Sequence, residues 1–369
     1  MTASASRERL FNFSAGPAAM PLEVLQKAQA DMLCLPGAGA SILEISHRSD
    51  AYIEIQSTAR QRLIRLLGIG DDYEVLFLQG GSRLQFSMLA MNLMQPGAAA
   101  AQYVVTGSWG KQAFPEAVRH GAAEIIWDGK SHNYSRLPEA GEVQANSQAA
   151  YVHVTSNETI QGVQFPTDLQ FGDAPLVCDS SSDFLSRPVP VDRYGLIYAC
   201  AQKNAGPAGV TVVIIRRDLL QRSTDDLPGY LDYRNHSEGD SMWNTPPTFA
   251  VYMLGLVAEW LEETVGGLAA MHEHNHRKAG LVYASVDRHP NMFQGHADRA
   301  CRSLMNVTFR LPSPELEKQF LAGAAERGLD SLKGHRSVGG IRASIYNAMP
   351  VEGAEALADY MEQFAQQHG

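Results

Sequence analysis

The chain has 369 residues, 30 basic against 40 acidic for a formal charge of −10, with 45% hydrophobic and 19% charged side chains. That mix buries a core of about two-domain size and excludes a disordered chain. The acidic balance argues against general affinity for nucleic acid or anionic membrane, so any anionic ligand needs local Arg and His to attract it. Cys34, Cys178, Cys200 and Cys301 make no C-x-x-C pair. A disulfide framework or cysteine zinc site is not expected, and a reducing compartment fits. MTASASRERLFNF lacks the apolar run of a secretion signal, so the expected location is cytoplasmic.

From about residue 20 to 265, short β-rich runs alternate with helical stretches. The strands expected in chain order are Glu74–Gln79, Gln102–Thr106, Ala123–Trp127, Ala150–Thr155, Pro175–Cys178, Leu196–Ala201 and Val210–Ile215. Most are continuously apolar, the pattern of strands covered on both faces in a largely parallel sheet between helices. Tyr52–Leu67 and Lys111–His120 read as two of those helices. The uncharged stretch Leu84–Gly110 is interrupted by Asn92, Gln95 and Pro96-Gly97, so it reads as helix, turn and strand and not as a membrane span. At Thr245 the pattern changes. Thr245-Pro246-Pro247 reads as a capped start for an apolar helix running through Trp260. Beyond it come a polar helix over 268–286, a strand around Met305–Phe309, a helix from Pro314 to Arg327, a strand near Gly340–Ser344 and a last helix from Val351. This tail reads as a compact α+β domain.

Ligands of such a sheet gather at the carboxyl ends of its strands. The first strand runs into Gly80-Gly81-Ser82-Arg83 and a helix, a turn whose N–H groups and helix dipole attract an anion. It matches neither nucleotide fingerprint, G-x-x-x-x-G-K-[ST] or G-x-G-x-x-G. Asp179 ends the fifth strand, where a carboxylate is costly without a cationic or N–H partner; the bland alternative is a cap on its own loop. Lys203 follows the sixth strand and precedes a Gly/Pro loop. An amine held there is desolvated and its pKa lowered, as a carbonyl-condensing nucleophile requires. Each feature alone has a mundane reading. Together they are the parts of a pyridoxal phosphate site: Lys203 for the Schiff base, Asp179 to keep the pyridine nitrogen protonated, and the turn at Ser82 and Arg83 for the phosphate. Trp109 is placed to stack on the ring, and Thr159 to offer a hydroxyl to its substituents.

FNFSAGPAAMP (11–21), EISHRS (44–49), SNETIQG (156–162), YACAQKNAGPAG (198–209), MWNTPPTFA (242–250) and KGHRSVGGIRASIYNAMP (333–350) resemble the phosphoserine aminotransferases, from Phe11 to the C-terminus. The resemblance implies a fold-type I, class V α/β architecture, a mostly parallel seven-stranded sheet flanked by helices plus a smaller α+β C-terminal domain. It implies an N-terminal arm over 1–16 joining the small domain, a large cofactor-binding domain over 17–265 and the small domain over 266–369. It also implies a homodimer with interface active sites that use pyridoxal 5'-phosphate. The implied reaction converts L-glutamate and 3-phosphohydroxypyruvate to 2-oxoglutarate and O-phospho-L-serine. Many bacterial members also act on the four-carbon phospho-oxo acid of vitamin B6 synthesis.

By motif, Lys203 matches the Schiff-base lysine and Asp179 the partner of the pyridine nitrogen. Trp109, Thr159 and Gln202 match further cofactor contacts. Ser82 and Arg83 fall in the cradle, where this chain has Gly-Gly-Ser-Arg-Leu against the common Gly-Gly-Gly-Arg. Asn244 and Thr245 match residues that reach the phosphate from the neighbouring subunit. Arg342 matches the α-carboxylate binder, a role that suits a bidentate guanidinium. His47 and Arg48 match phosphate-binding groups, as do His335 and Arg336, the latter pair from the other subunit.

Rival readings are weaker. His272-Glu273-His274-Asn275-His276 satisfies H-E-x-x-H, but no further ligand follows at a zinc-hydrolase distance, so no metal is expected. A non-catalytic relative would be expected to have lost Lys203 or Asp179. A cysteine desulfurase needs a mobile-loop thiolate, and none of the four cysteines is well placed. A serine–glyoxylate type transaminase is the main alternative, but it has no use for two His-Arg pairs.

Overall fold

The computed structural model describes residues 9–95, 97, 99–167 and 171–369; residues 1–8 of the expected arm and Pro96 of the expected break lie outside these. Seven strands make the central sheet: β1 Tyr73–Leu78, β2 Ala101–Val105, β3 Ala123–Asp128, β4 Val152–Thr155, β5 Leu176–Asp179, β6 Leu196–Cys200 and β7 Thr211–Arg216. Their order across the sheet is β1-β7-β6-β5-β4-β2-β3. Only β7 is antiparallel to its neighbours, β1 and β6. The carboxyl ends of β1, β2, β4, β5 and β6 therefore lie along one edge. Each expected strand is present with its ends moved by one or two residues. β2, β4, β5 and β6 are buried along their whole length, as continuous apolar runs require, whereas the edge strand β3 is half exposed.

Helices cover the sheet: α1 Leu22–Asp31, α2 Asp50–Leu67, α3 Gly81–Leu93, α4 Ser108–Val118 and α5 Thr248–Glu259. Ser49 caps α2 by accepting from the Tyr52 N–H, and Gly68, at φ +62°, ends it. The expected Thr245 cap does not form. α5 begins after Pro247 with no side-chain cap, and the Thr245 carbonyl instead accepts from Gln79 and Asn244. One π-helical turn, Trp260–Val265, then leads to Gly266-Gly267.

The tail has α6 Leu268–Arg288, α7 Pro314–Glu326 and α8 Val351–His368 against an antiparallel pair, β8 Asn306–Arg310 and β9 Ile341–Ser344. Its apolar cluster, with Val307, Phe309, Phe320 and Met361, is separate from those around the central sheet and includes Phe13. Phe11–Asn12 runs parallel to Leu329–Asp330. Among the described residues no helix is long and apolar enough to cross a membrane.

Candidate active site

β6 delivers Lys203 into a turn closed by the Ala205 and Gly206 N–H groups, both donating to the Ala201 carbonyl. Lys203 Nζ donates to Thr159 Oγ1 at 2.9 Å and lies 5.2 Å from the centre of the Trp109 ring. Thr159 stands in the turn of a short hairpin, Asn157–Glu158 with Val163–Gln164, just beyond β4. Trp109 is the second residue of α4, behind β2. Three strand ends thus converge on one amine. The lowered pKa expected at Lys203 does not occur. Burial does pull the amine down, but the acidic groups of Cys200, Tyr346, Asp179 and Glu158 outweigh it, and the net shift is upward.

Asp179, 4% exposed, ends β5. Its Oδ1 accepts from the Ser181 N–H at 3.0 Å and the Ser181 hydroxyl at 2.6 Å, so it does cap its own loop. Burial raises its pKa, opposed by Lys203 and Ser181 without being cancelled. Ser181 Oγ also stands 2.7 Å from Ser82 Oγ, which joins the acid to the turn after β1. There α3 starts with no side-chain cap, behind Gly80 and Gly81 at φ +88° and +66°. Its first N–H groups are open to an anion. Arg83 bonds Gln112 and lies 5.7 Å from the Trp109 ring centre.

α4 is the opposite case, because the protein itself fills its N-terminus. Fully buried Glu158 accepts from the Trp109 N–H at Oε2 and the Gly110 N–H at Oε1, both at 2.9 Å. Gln161 takes the Ser108 N–H at 3.2 Å and donates to the Ser108 hydroxyl at 2.8 Å. Burial pushes the Glu158 carboxyl up to about 7; the two N–H donors and Lys203 oppose this, and Asp179 adds to it. The sequence reading gave Glu158 no role, although it adjoins Thr159 and although glycines bracket Trp109. Tyr346 was missed as well. It donates to the Ala15 carbonyl at 2.9 Å and couples electrostatically to both Lys203 and Arg342.

These groups suit a flat cofactor with an anionic tail and a ring nitrogen that must stay protonated. The open start of α3 fits the tail, the buried Asp179 carboxyl, its Oδ1 held by Ser181, fits the nitrogen, and the indole Nε1 of Trp109 is buried without a partner among the described residues. Gln202 is fixed beside Lys203 by its carbonyl, which accepts from the Ala18 N–H at 2.9 Å. Asn244 donates to Gln79 Oε1 at 3.4 Å, so it and Thr245 stand next to the cradle's own strand.

The expected substrate residues are only partly gathered. Arg342, on β9, lines a cavity of about 290 Å³ together with His335, His132, His296 and Arg310. Burial lowers the pKa of Arg342, and burial with the charges of Arg342 and Arg336 lowers that of His335. His47 and Arg48 sit ahead of α2, where the Arg48 N–H donates to Ser46 Oγ at 3.2 Å and not to the groups around Lys203. On α6, His272 and His276 face each other at 3.1 Å. Among the described residues no group of three or more His, Cys, Asp or Glu is assembled that suits a metal ion.

Residues 10–357 match the family described as aminotransferase class-V. The phosphoserine aminotransferase of Rhodopirellula baltica is 55% identical over 359 residues, 97% of this chain and 96% of that protein. The solved phosphoserine aminotransferase from Bacillus circulans subsp. alkalophilus superposes with a TM-score of 0.95 at 47% identity, over 98% of this chain and 99% of that one. A PLP-bound phosphoserine aminotransferase from Trichomonas vaginalis gives a TM-score of 0.91 at 40% identity, over 96% of this chain and 100% of that one.

Proposed function

Because the chain belongs to the class-V aminotransferases, and within them to the phosphoserine aminotransferase family, we propose that it moves the amino group of L-glutamate to 3-phosphohydroxypyruvate with pyridoxal 5'-phosphate held on Lys203. The observation that carries this reading is the convergence on Lys203 Nζ of Thr159, Trp109 and the buried Asp179, beside the uncapped start of α3. The bound cofactor supplies a carbonyl that condenses with amines and a ring that accepts the electron pair left when the substrate Cα–H bond breaks.

The chain's own residues do the rest. Lys203 Nζ would hold the cofactor and, as a free neutral amine, would take the proton from the substrate Cα. Asp179 keeps the ring nitrogen protonated, Trp109 covers the ring, and Thr159 and Gln202 hold its substituents. Ser82 and Arg83 seat the phosphate, with Asn244 and Thr245 of the partner subunit. Arg342 grips the α-carboxylate with two parallel N–H bonds. His47 and Arg48, with His335 and Arg336 of the partner subunit, hold the distal anion. Such a group of cations repels itself until a dianion arrives, which favours phosphate-bearing acceptors.

The homodimer in this reading is supported by large apolar side chains left exposed near the same loops: Leu43 at 56%, Ile53 at 43% and Trp243 at 48%. Four free cysteines favour the cytoplasm. The division at residues 16 and 265 into arm, large and small domains is supported by the separate apolar cluster of the tail. Activity on the four-carbon acceptor of pyridoxine synthesis belongs to the same proposal, since the anion sites hold both ends and leave the middle unread.

Spectroscopy tests this. Purified protein with pyridoxal phosphate is expected to show a visible band that glutamate removes and 3-phosphohydroxypyruvate restores, and Lys203→Ala to lack it. A band indifferent to glutamate ends the aminotransferase reading. A response to glutamate followed by recovery with glyoxylate alone moves the assignment to the serine–glyoxylate type.

A further inference from the structure

Glu158 has no part in the reading above, yet no acid among the described residues is more completely enclosed. We propose that Glu158 is a positioning residue for the aminotransfer: its carboxylate, gripped by the start of α4, holds in place Trp109 and Thr159, which both lie next to Lys203 Nζ. The inference rests on the reading that Lys203 carries the cofactor.

The match is of two oxygens to two donors, Trp109 N–H on Oε2 and Gly110 N–H on Oε1, both at 2.9 Å. Helix starts leave such N–H groups without partners, and a Ser or Thr cap commonly serves one of them. Here a residue from another strand end serves two. It is also bonded covalently to Thr159, the acceptor for Lys203 Nζ. One side chain therefore links the group over the lysine to the group beside it, and moving it moves both.

The surroundings are cut to admit it. A Cβ on Gly107 would lie 2.5 Å from Glu158 Cδ, and one on Gly110 would lie 3.4 Å from Oε1. The charged and titratable groups that act on or feel Glu158 are Lys203, Asp179 and the Tyr134 phenol. Like-charged Asp179 and burial both work against the carboxylate. An acid placed in full burial despite that opposition, where a neutral hydroxyl would cap the helix, points to a need for the two-oxygen grip. The protonated acid accepts at one oxygen and carries a hydrogen on the other. A Gln amide likewise turns a donor toward one of the two N–H groups.

The test compares wild-type and Glu158→Gln holoenzymes. The expected result is a kcat lower by about tenfold or more with glutamate KM within about threefold, since the loss falls on alignment and not on ground-state binding. The visible circular dichroism of the cofactor is expected to change in E158Q, as is its quenching of Trp109 fluorescence, isolated by comparison with Trp109→Phe. Wild-type kcat is expected to decline below about pH 7, as Glu158 takes up its proton, and that of E158Q to show no such decline. Should E158Q not fold, Glu158→Asp, charged but one methylene short, is read the same way. A wild-type band that ignores glutamate overturns the reading of Lys203 and this inference with it. A responsive wild type alongside a variant with unchanged dichroism and kcat overturns the part given to Glu158 alone. A lowered unfolding temperature with unchanged dichroism and quenching also overturns it, because the role is then only structural.

Discussion

Ser181 spends its single hydroxyl hydrogen on Asp179 Oδ1, 2.6 Å away. Every other contact of that oxygen must then be accepted, so the hydrogen between Ser82 and Ser181 comes from Ser82, and the Cys200 N–H donates as well, at 3.2 Å. The acid at the end of β5 is wired through one hydroxyl to the turn after β1. Ser181→Ala removes a hydrogen bond that lowers the Asp179 pKa, so the carboxyl rises further. A hydrogen bond to a charged group contributes about 1.5–3 kcal/mol. The expected result is a kcat down by roughly tenfold or more, with glutamate KM little changed and cofactor lost more readily on dialysis. Steady-state kinetics and the absorbance retained after dialysis check it, and a wild-type kcat would dissociate Asp179 from Ser181.

The cradle predicts a contrast between neighbouring glycines. Gly80 has φ +88°, and a Cβ there would run into Leu84; Gly81 has φ +66° and open space around it. Gly81→Ala meets only the left-handed backbone penalty of about 1–2 kcal/mol, whereas Gly80→Ala adds a collision at the first turn of α3. Pyridoxal phosphate affinity, measured by equilibrium titration, is expected to fall more than about tenfold in G80A and distinctly less in G81A. Equal losses would mean that backbone strain alone sets the turn.

The central sheet was legible because its strands are apolar without alternation, and that pattern has few other uses. β3 departs from it: it reads as apolar, yet three of its six residues are exposed, whereas the other edge strand, β1, is almost wholly buried. Lys203 and Asp179 were legible as odd residues at strand ends. The sign of the Lys203 shift was not, since the acids that reverse it come from β5, β6, the Thr159 turn and the segment after β9. Glu158 stayed hidden for a related reason. In sequence it is a charged turn residue, and only the packing of α4 over that turn makes it a helix cap. Thr245 misled because it has the right residue type before two prolines, while Gln79 draws its carbonyl elsewhere. His47, Arg48, His335 and Arg336 were located by resemblance alone, and no local pattern says which chain's site they serve.

Lys278, 1% exposed on α6, donates to the carbonyls of Tyr346 at 2.7 Å, Asn347 at 3.2 Å and Met349 at 3.1 Å. Burial draws its pKa down to about 7, yet three acceptors match the three hydrogens of the ammonium and not the two of the amine. Lys278→Met keeps the length and strands three buried carbonyls. At about 1–3 kcal/mol for each unsatisfied group, the loss of unfolding free energy is expected to be about 3 kcal/mol or more. The same carbonyls shape the segment that carries Tyr346 past Arg342, so glutamate KM is expected to rise as well. Denaturant unfolding and kinetics check both, and a stability within about 1 kcal/mol of wild type would mean that other donors replace the lysine.

Glu158 should also write a pH signature on stability. Its folded pKa, about 7, stands above the ordinary carboxyl value of 4.5, so between those limits the native state holds a proton that the unfolded chain has released. Stability falls with rising pH wherever the native state binds more protons. This group's contribution is therefore complete below about pH 4.5, declines through the window and is gone above pH 7. At 1.36 kcal/mol per pKa unit the decline is on the order of 3 kcal/mol. Glu158→Gln cannot titrate, so subtracting its unfolding free energy from that of the wild type, pH by pH, isolates the term from every other carboxylate. A difference that is flat from pH 4 to 8 would place the Glu158 carboxyl at its unfolded value despite its complete burial.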